Sequence, residues 1–322
     1  MLFRPLMEIY DLLDKPQASG NEVSDFLKAR GALEVIVKKA SGNKGSTDCI
    51  KILIQGSNGK SKKGTAPTLG IIGRLGGLGV RPKSAGFVSD GDGALAALTA
   101  ALKLSEMNRN GDVLDGDVLI ATHICPDAPS LPHEPVAFMD SPIDMETMNL
   151  MEVDSRMDAI LSIDTTKGNR VINNNGFALS PTVKAGYILE ASNDLMDIMT
   201  RVTGKMPQIF PLAQQDITPY GNDLHHLNSI LQPATATDAP VVGVAITTEQ
   251  MVAGCATGAT HGADVEAAAR FAVETAKSFT AGTCAFYSVE EWNRLLHLYG
   301  KMEHFQVPGI ALKQDSALQK RV

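Results

Sequence analysis

Residues 86–104, which read GFVSDGDGALAALTAALKL, carry the pattern that decides the fold. A short apolar run ends at Val88, two aspartates then alternate with glycines, and an uninterrupted set of helix-forming residues follows from Ala94. This order predicts a strand, an acidic turn and a helix, because glycine lets the backbone bend and a helix N-terminus favours carboxylates. The turn presents Asp90 and Asp92, which can hold a metal ion. Capping of the helix by Asp92 is the alternative, and both interpretations stay open at this point.

Three more apolar runs lead to a histidine or an aspartate. They span residues 117–123, 157–164 and 240–247, and a glycine-rich loop follows the third. Open α/β sheets bind ligands beyond the carboxyl ends of their strands. We therefore expect four side chains to point into one crevice and to bind a divalent metal, above all zinc, as one or two ions, because carboxylate and imidazole are its usual ligands. The four predicted ligands are Asp90, His123, Asp164 and His261. For each of them, capping or hydrogen bonding within a loop is the alternative.

Strand-like and helix-like segments alternate from Thr68 to about Ser278, which indicates an α/β fold with a mixed, mostly parallel sheet and helices on both faces. We expect a single domain over residues 1–285, with residues 286–322 forming a C-terminal helix and tail packed on it. The central strands are expected near residues 69–73, 118–122, 159–163 and 241–246.

The composition is that of an ordinary globular protein, and it argues against some classes of binding partner. The chain has 322 residues, of which 44% are hydrophobic and 20% charged, with a formal net charge of −7. Its 29 basic residues are scattered, so nucleic acid is not an expected partner. No apolar run approaches the roughly 20 residues that cross a bilayer, so no membrane span is expected.

The N-terminal stretch MLFRPLMEIYDLLDK has acids within its apolar part, which predicts an amphipathic helix and not a signal peptide. The four cysteines show no CxxC spacing, which predicts reduced thiols and a cytoplasmic location.

The order of these segments resembles one known family, the co-catalytic zinc aminopeptidases of the tetrahedral (glutamyl and leucyl aminopeptidase) type. Residues 11–28 (DLLDKPQASGNEVSDFLK) look like that family's opening helix, Ser-Gly-x-Glu turn and next helix. Asp90 with the helix after it looks like the bridging-aspartate turn, and residues 160–166 (ILSIDTT) look like the strand that ends in a metal-binding aspartate. Residues 260–266 (THGADVE) look like the final ligand histidine and the closing helix. The similarity covers most of the chain and implies a three-layer zinc-aminopeptidase-like fold, of the phosphorylase/hydrolase-like kind.

The departures from that family lie at its metal ligands. The family's His-x-Asp element would fall on residues 69–76 (LGIIGRLG), where Arg74 takes the place of the histidine and no acid stands. Its tandem glutamates would fall on residues 122–127 (THICPD). Its inserted dimerising domain would fall between Gly79 and Gly86, where only a few residues are present. The chain therefore resembles a divergent one-domain relative. It is also similar to an uncharacterised family whose members carry the strings FVSDGDGA, DTTKGN, QDITPYGN and GCATG.

The resemblance implies a metal-dependent hydrolase of a peptide or other amide bond in a small substrate. His123 or Asp127 would replace the missing glutamate ligand, since three protein ligands and a water are the usual catalytic zinc arrangement. The tandem glutamates also include the family's catalytic base. Its replacement would come from the proline-rich, aperiodic stretch 126–142, where Asp127, His133 and Glu134 are candidates.

The role of Arg74 separates two hypotheses about function. Its guanidinium would bind a substrate carboxylate bidentately or, alternatively, form an internal ion pair with Asp90 or Asp92. The second pairing would neutralise the acids that a metal needs. The alternative function is accordingly a catalytically altered, metal-free binding or regulatory protein with the aminopeptidase fold. From the 13 methionines, the apolar N-terminal helix and the assembly of the resembled family, we expect a homo-oligomer.

Overall fold

The computed structural model describes residues 1–74, 76–80, 86–134, 137–227, 229–251 and 258–308. Within them the strands are, in chain order, β1 (Glu34–Gly42), β2 (Gly45–Ile54), β3 (Leu69–Gly73), β4 (Val118–Ile124), β5 (Ser130–Leu131), β6 (Phe138–Met139), β7 (Ala159–Thr165), β8 (Gly176–Leu179), β9 (Val183–Lys184), β10 (Tyr187–Ile188) and β11 (Val241–Thr247). The α-helices in the same residues are α1 (Phe3–Leu13), α2 (Gly20–Ala29), α3 (Asp92–Arg109), α4 (Met145–Glu152), α5 (Asn193–Thr203), α6 (Gly262–Thr280) and α7 (Val289–Tyr299).

One mixed sheet forms the centre of the molecule. Its described strands lie in the order β1-β2-β4-β3-β7-β11-β9-β10, and β8 also pairs with β11. The four inner strands β4, β3, β7 and β11 run parallel to one another. The outer strands join antiparallel. The four predicted central segments therefore share one sheet, and the predicted α/β fold with a mixed, mostly parallel sheet is confirmed.

The inner strands are apolar along most of their length because both of their faces are covered. Every residue of β3, β4, β7 and β11 is buried, as is typical of parallel strands with further structure on each side. Ile71, Ile120 and Leu161 belong to the core on the side of α1, α3 and α6, here called the α3 face. Ile72 and Leu119 belong to the core on the opposite side, here called the α4 face. Alternation along each strand therefore decides which face a functional side chain reaches.

Helix α3 lies directly against the ends of two inner strands. A Cβ on Gly93 would lie 2.5 Å from the carbonyl oxygen of Ile163 and 2.6 Å from that of Arg74, so this close approach requires glycine. A single 3-10 turn over Ser89–Gly91 precedes the helix. The acidic turn predicted from the sequence is thereby held at the carboxyl end of the sheet.

Two parts of the chain lie outside the sheet and its two cores. The proline-rich stretch after β4 contains the short antiparallel pair β5–β6, and its other described residues, within 126–134 and 137–142, are irregular, as predicted. Helix α7 has no buried residue and is held by its tryptophan, since the Trp292 ring packs edge-on against Tyr187, with ring centroids 5.6 Å apart, and Tyr287, at 6.3 Å. Among the described helices, none is long and apolar enough to cross a membrane.

Some sequence predictions fall outside the described residues. They concern residues 309–322 of the expected tail, residues 81–85, where the inserted domain of the resembled family would begin, and residues 252–257, which contain most of the GCATG string.

Candidate functional site

Three neighbouring parallel strands place polar side chains at their carboxyl ends on the α4 face. His123 lies in β4, Arg74 directly follows β3, and Asp164 is the penultimate residue of β7. All three are buried. They occupy alternate positions with the apolar residues of the α3 face, so they share the other side of the sheet. This is the edge at which open α/β sheets bind ligands.

His123 uses both of its ring nitrogens inside the protein. Its Nε2 accepts a hydrogen bond from the Gly76 N–H at 2.9 Å. The proton of the neutral ring is therefore on Nδ1, which donates to Thr47 Oγ1 at 2.9 Å. A Cβ on Gly76 would overlap the carbonyl oxygen of His123, so only glycine fits here. Burial, with the positive charge of Arg74, lowers the pKa of His123 to about 3, so the imidazole is neutral at physiological pH.

Arg74 is completely buried and pairs with an acid from α4. Its Nη1 donates to Glu152 Oε2 and, at 3.2 Å, to Asn149 Oδ1. Burial raises the pKa of Glu152, although the charge of Arg74 works in the opposite direction. The predicted pairing with Asp90 or Asp92 is wrong, because the salt bridge goes to Glu152 instead. A guanidinium with no exposed surface also offers nothing to a substrate carboxylate in this arrangement.

Asp164 lies beside Arg74 and is hydrogen-bonded to Ser229. Its Oδ2 accepts a hydrogen bond from Ser229 Oγ at 2.9 Å, and its Oδ1 accepts one from the Thr165 N–H at 2.8 Å. Burial raises the pKa of Asp164 to about 6, against the lowering effects of Ser229 and Arg74. The phenol of Tyr220 shares these surroundings, and burial with the negative charge of Asp164 raises its pKa.

A cleft of about 920 Å³ opens above this polar layer. Asp90, His123 and Ser229 are among its lining residues, and the segment 139–146 forms one wall. Asp90 is itself buried, with only 1% of its surface exposed. Since Ser229 binds Asp164, the cleft brings three of the four predicted ligands to one region, two of them directly and Asp164 through this hydroxyl.

The fourth predicted ligand and the predicted general bases lie elsewhere. His261 is exposed at the start of α6 and is not among the described residues that line the cleft. Asp127, His133 and Glu134 are also exposed, and none of the three is in that lining. The His133 ring stacks on Phe138, with centroids 3.8 Å apart. None of these four side chains therefore stands at the cleft.

The α3 face has a buried ion pair of its own at the same end of the sheet. Asp92, the first residue of α3, contacts Lys167 Nζ at 3.2 Å, and their side chains are 0% and 5% exposed. Burial raises the pKa of Asp92 to about 6, although Lys167 opposes the rise. The helix N-cap is Gly91, without any side-chain cap, so the expected capping role of Asp92 is wrong.

The donor atoms of the α4 face do not form a metal site. In the described part of the chain, no three His, Cys, Asp or Glu side chains are arranged to hold one ion. His123 has no lone pair to offer, because Nε2 accepts from Gly76 and Nδ1 carries the proton. The guanidinium of Arg74 also repels a cation. The described residues do not fit a metal ion as they stand, and metal binding by the four predicted ligands stays a prediction.

Four residues that contact the two groups of buried charges were not identified from the sequence: Glu152, Lys167, Tyr220 and Ser229. The strings DTTKGN and QDITPYGN contain Lys167 and Tyr220, and they are the signal that points to these two. Glu152 follows Asn149 by three residues in α4, a spacing that places both on one helix face. Ser229 has no such signal, since its role depends on an aspartate 65 residues earlier.

Solved structures with a similar fold include two enzymes. "Bottromycin maturation enzyme BotP" has a TM-score of 0.52 at 15% identity, covering 87% of this chain and 70% of that one. The same enzyme "in complex with Mn" has a TM-score of 0.50 at 14% identity, covering 86% and 70%. LapA aminopeptidase of Legionella pneumophila has a TM-score of 0.51 at 11% identity, covering 89% and 71%. At these identities the likeness shows the fold alone, which is aminopeptidase-like.

One family model matches the chain, and its description is "Protein of unknown function (DUF1177)". The match covers residues 38–309, a range that contains the inner strands, α3 to α7 and the residues of the cleft named above. A search of curated protein sequences finds no match.

Proposed function

This chain belongs to the family described as "Protein of unknown function (DUF1177)", and we propose that it binds a small polar molecule in its cleft without a catalytic metal ion. The proposal rests on the hydrogen bonds of His123, because both of its ring nitrogens are hydrogen-bonded to other groups of the protein. The polar groups at the strand ends satisfy one another instead of facing an ion. On this proposal the aminopeptidase-like fold serves as a binding or regulatory scaffold.

The cleft has the size and the mixed lining of a small-molecule site. Its volume of about 920 Å³ lies within the range of roughly 300–1,000 Å³ that is common for ligand pockets. Met139 contributes apolar surface, Asp90 a carboxylate, and Tyr220 and Ser229 their hydroxyl groups. The Ser229 hydroxyl donates its proton to Asp164, and the Tyr220 phenol is hydrogen-bonded to the same serine. Such a lining supports a ligand held by packing and oriented by a few hydrogen bonds.

The mouth of the cleft carries an ion pair that a ligand can exchange for its own contacts. Lys44, in the turn between β1 and β2, contacts Asp140 at 2.6 Å, and both residues line the cleft. The Lys44 side chain is 56% exposed. Exposed ion pairs contribute about 0–1 kcal/mol, so opening this one requires little free energy.

A metal-dependent amide hydrolase is the second candidate, and one observation favours it. Asp90 and Asp164, the two carboxylates that the aminopeptidase resemblance assigns to metal, both lie at or next to the cleft. BotP, which has a similar fold, is described in complex with Mn. On this hypothesis zinc or another divalent ion would bind here. His123 could join the ligands only after releasing its hydrogen bond with Gly76.

The experiment measures metal content and melting temperature on the purified chain. Before any chelator is added, we expect no stoichiometric metal. After dialysis against EDTA, we expect no change in melting temperature on addition of Zn²⁺, Co²⁺ or Mn²⁺. A panel of small polar molecules is then screened for compounds that raise the melting temperature. Asp90→Asn is expected to remove that rise. Asp127→Asn, an exposed acid outside the cleft lining, is the matched control and is expected to keep it.

Two outcomes would overturn the proposal. Stoichiometric metal, or a melting temperature that rises with Zn²⁺ or Mn²⁺ in the wild type and not in Asp90→Asn, would favour the hydrolase. A compound whose effect survives Asp90→Asn and is lost in Asp127→Asn would place binding outside the cleft.

A further inference from the structure

We infer that Arg74 is the resident cation of the α4 face: its guanidinium balances the buried carboxylates of Glu152 and Asp164 in the region where a metal ion would need to bind. The inference rests on the proposed function and deepens it, because it identifies the side chain that supplies the positive charge a metal ion would otherwise supply.

The guanidinium lies within the polar layer and not at its border. It contacts Glu152 directly. Its charge also lowers the pKa of Asp164, of Tyr220 and of His123, so each of these groups lies within its field. One fixed positive charge therefore acts on both acids, the phenol and the imidazole of the layer.

Neighbouring groups hold Arg74 at both of its ends. Its backbone N–H donates to the Ile163 carbonyl oxygen at 2.7 Å, which fixes the residue to β7. At the other end Nη1 donates to Asn149 Oδ1 at 3.2 Å. The amide of Asn149 is itself oriented, since its Nδ2 donates to the Gln232 carbonyl oxygen at 3.1 Å and to Thr235 Oγ1 at 3.2 Å. A group that is always charged is thus kept in one position.

The charges around Arg74 require a cation at this place. Glu152 and Asp164 are 1% exposed, and a buried carboxylate without a counter-charge is strongly unfavourable. His123 cannot supply the charge because its ring is neutral. Lys51 is the other cation that acts on Glu152, but its Nζ pairs with Asp154 at 3.1 Å. Arg74 therefore supplies the direct counter-charge in the described part of this layer.

The test is a double-mutant cycle that separates charge from shape. Arg74→Met is expected to lower the melting temperature by about 5–15 °C, because it leaves two buried acids without their cation. Adding Glu152→Gln to Arg74→Met removes one of those acids and is expected to restore more than half of the loss. Arg74→Lys keeps the charge and is expected to lose less than Arg74→Met. Lys167→Met on the α3 face is the matched control, which Glu152→Gln is not expected to rescue.

The outcomes separate this inference from the proposed function. The melting temperature of the double variant could fall by the sum of the two single decreases, or Arg74→Met and the double variant could both fail to fold. Either result would mean that Arg74 is needed for its shape, which overturns the inference and leaves the proposed function standing. If Zn²⁺ or Mn²⁺ raises the melting temperature of the wild type, the proposed function falls and the inference with it. Rescue in the double variant, with a wild type that does not respond to metal, supports both.

Discussion

The two faces of the central sheet carry the same kind of buried ion pair in different surroundings. On the α4 face Arg74 reaches Glu152 and Asn149 and lies below a cleft. On the α3 face Lys167 contacts Asp92 at the start of α3. An arginine fork can hold several acceptors in one plane, whereas an ammonium group is a point charge. The first pair therefore organises a layer, and the second neutralises one acid.

The comparison also shows which side of the sheet is open to a ligand. The α3 face is closed by long helices, and Gly93 brings α3 against the ends of β3 and β7. The α4 face is covered by the eight residues of α4 and by segments without an α-helix, such as 213–227 and 229–236, which leave room for the cleft. Long helices on one face and short segments on the other thus determine where a binding site can form.

The largest expected effect comes from removing the cation on each face. We expect Arg74→Met to lower the free energy of unfolding by about 3–5 kcal/mol, as is typical when one partner of a buried pair is lost. For Lys167→Met we expect a loss of about 1–2 kcal/mol, because Lys167 contacts one buried carboxylate, Asp92, whereas Arg74 acts on two, Glu152 and Asp164. Urea unfolding at pH 7, followed by circular dichroism, measures both. Equal losses would mean that the two pairs do not differ as described.

An effect shared by both faces concerns the dependence of stability on pH. Burial raises the pKa values of Asp92 and Asp164 from 3.8 to about 6, so the folded state holds these protons more tightly than the unfolded state. Their contribution to stability is therefore complete below about pH 4 and is lost as the pH rises through 6. Two pKa units correspond to about 3 kcal/mol for each carboxyl. Asp92→Asn and Asp164→Asn should each reduce the fall in unfolding free energy between pH 4 and 7.

The control for the pH prediction is Asp127→Asn, because this aspartate is exposed. Its curve of unfolding free energy against pH should run parallel to that of the wild type. A flattened curve in only one of the two buried variants would show that the two faces do not titrate alike.

A further comparison distinguishes the two histidines that the sequence proposed as metal ligands. His123→Ala should lower the unfolding free energy by about 2–3 kcal/mol, since it creates a cavity and leaves the Gly76 N–H without its acceptor. His261→Ala should change it by less than about 0.5 kcal/mol, because this side chain is exposed. Chemical denaturation in the presence of EDTA measures both. Metal-dependent losses of similar size at the two positions would instead support a shared metal site.

The sequence was sufficient to predict the sheet but not the pairing of charges. Continuous apolar runs locate β3, β4, β7 and β11, because strands buried on both faces must be apolar almost throughout. His123 and Asp164 could also be placed at the carboxyl end of the sheet, since each lies at the end of such a run. The strand predicted before Asp90 is wrong, because the described residues 86–88 form no strand and Asp90 reaches the site from a 3-10 turn. The partners of these residues could not, because they depend on side chains far away in the chain. Ser229 meets Asp164 only in the folded protein, and nothing in the sequence indicates which acid Arg74 reaches.

The loose attachment of α7 affects what tryptophan fluorescence measures when this protein unfolds. Trp292 is the single tryptophan of the chain, and it lies on a helix without any buried residue. Segments with few buried contacts open at lower free energy than the core. Intrinsic tryptophan emission will therefore follow the detachment of this peripheral helix, at lower urea concentration than the cooperative loss of the sheet. Two non-coincident transitions, an early one in tryptophan emission and a later one in circular dichroism, are the expected signature of a protein whose single tryptophan is outside its core.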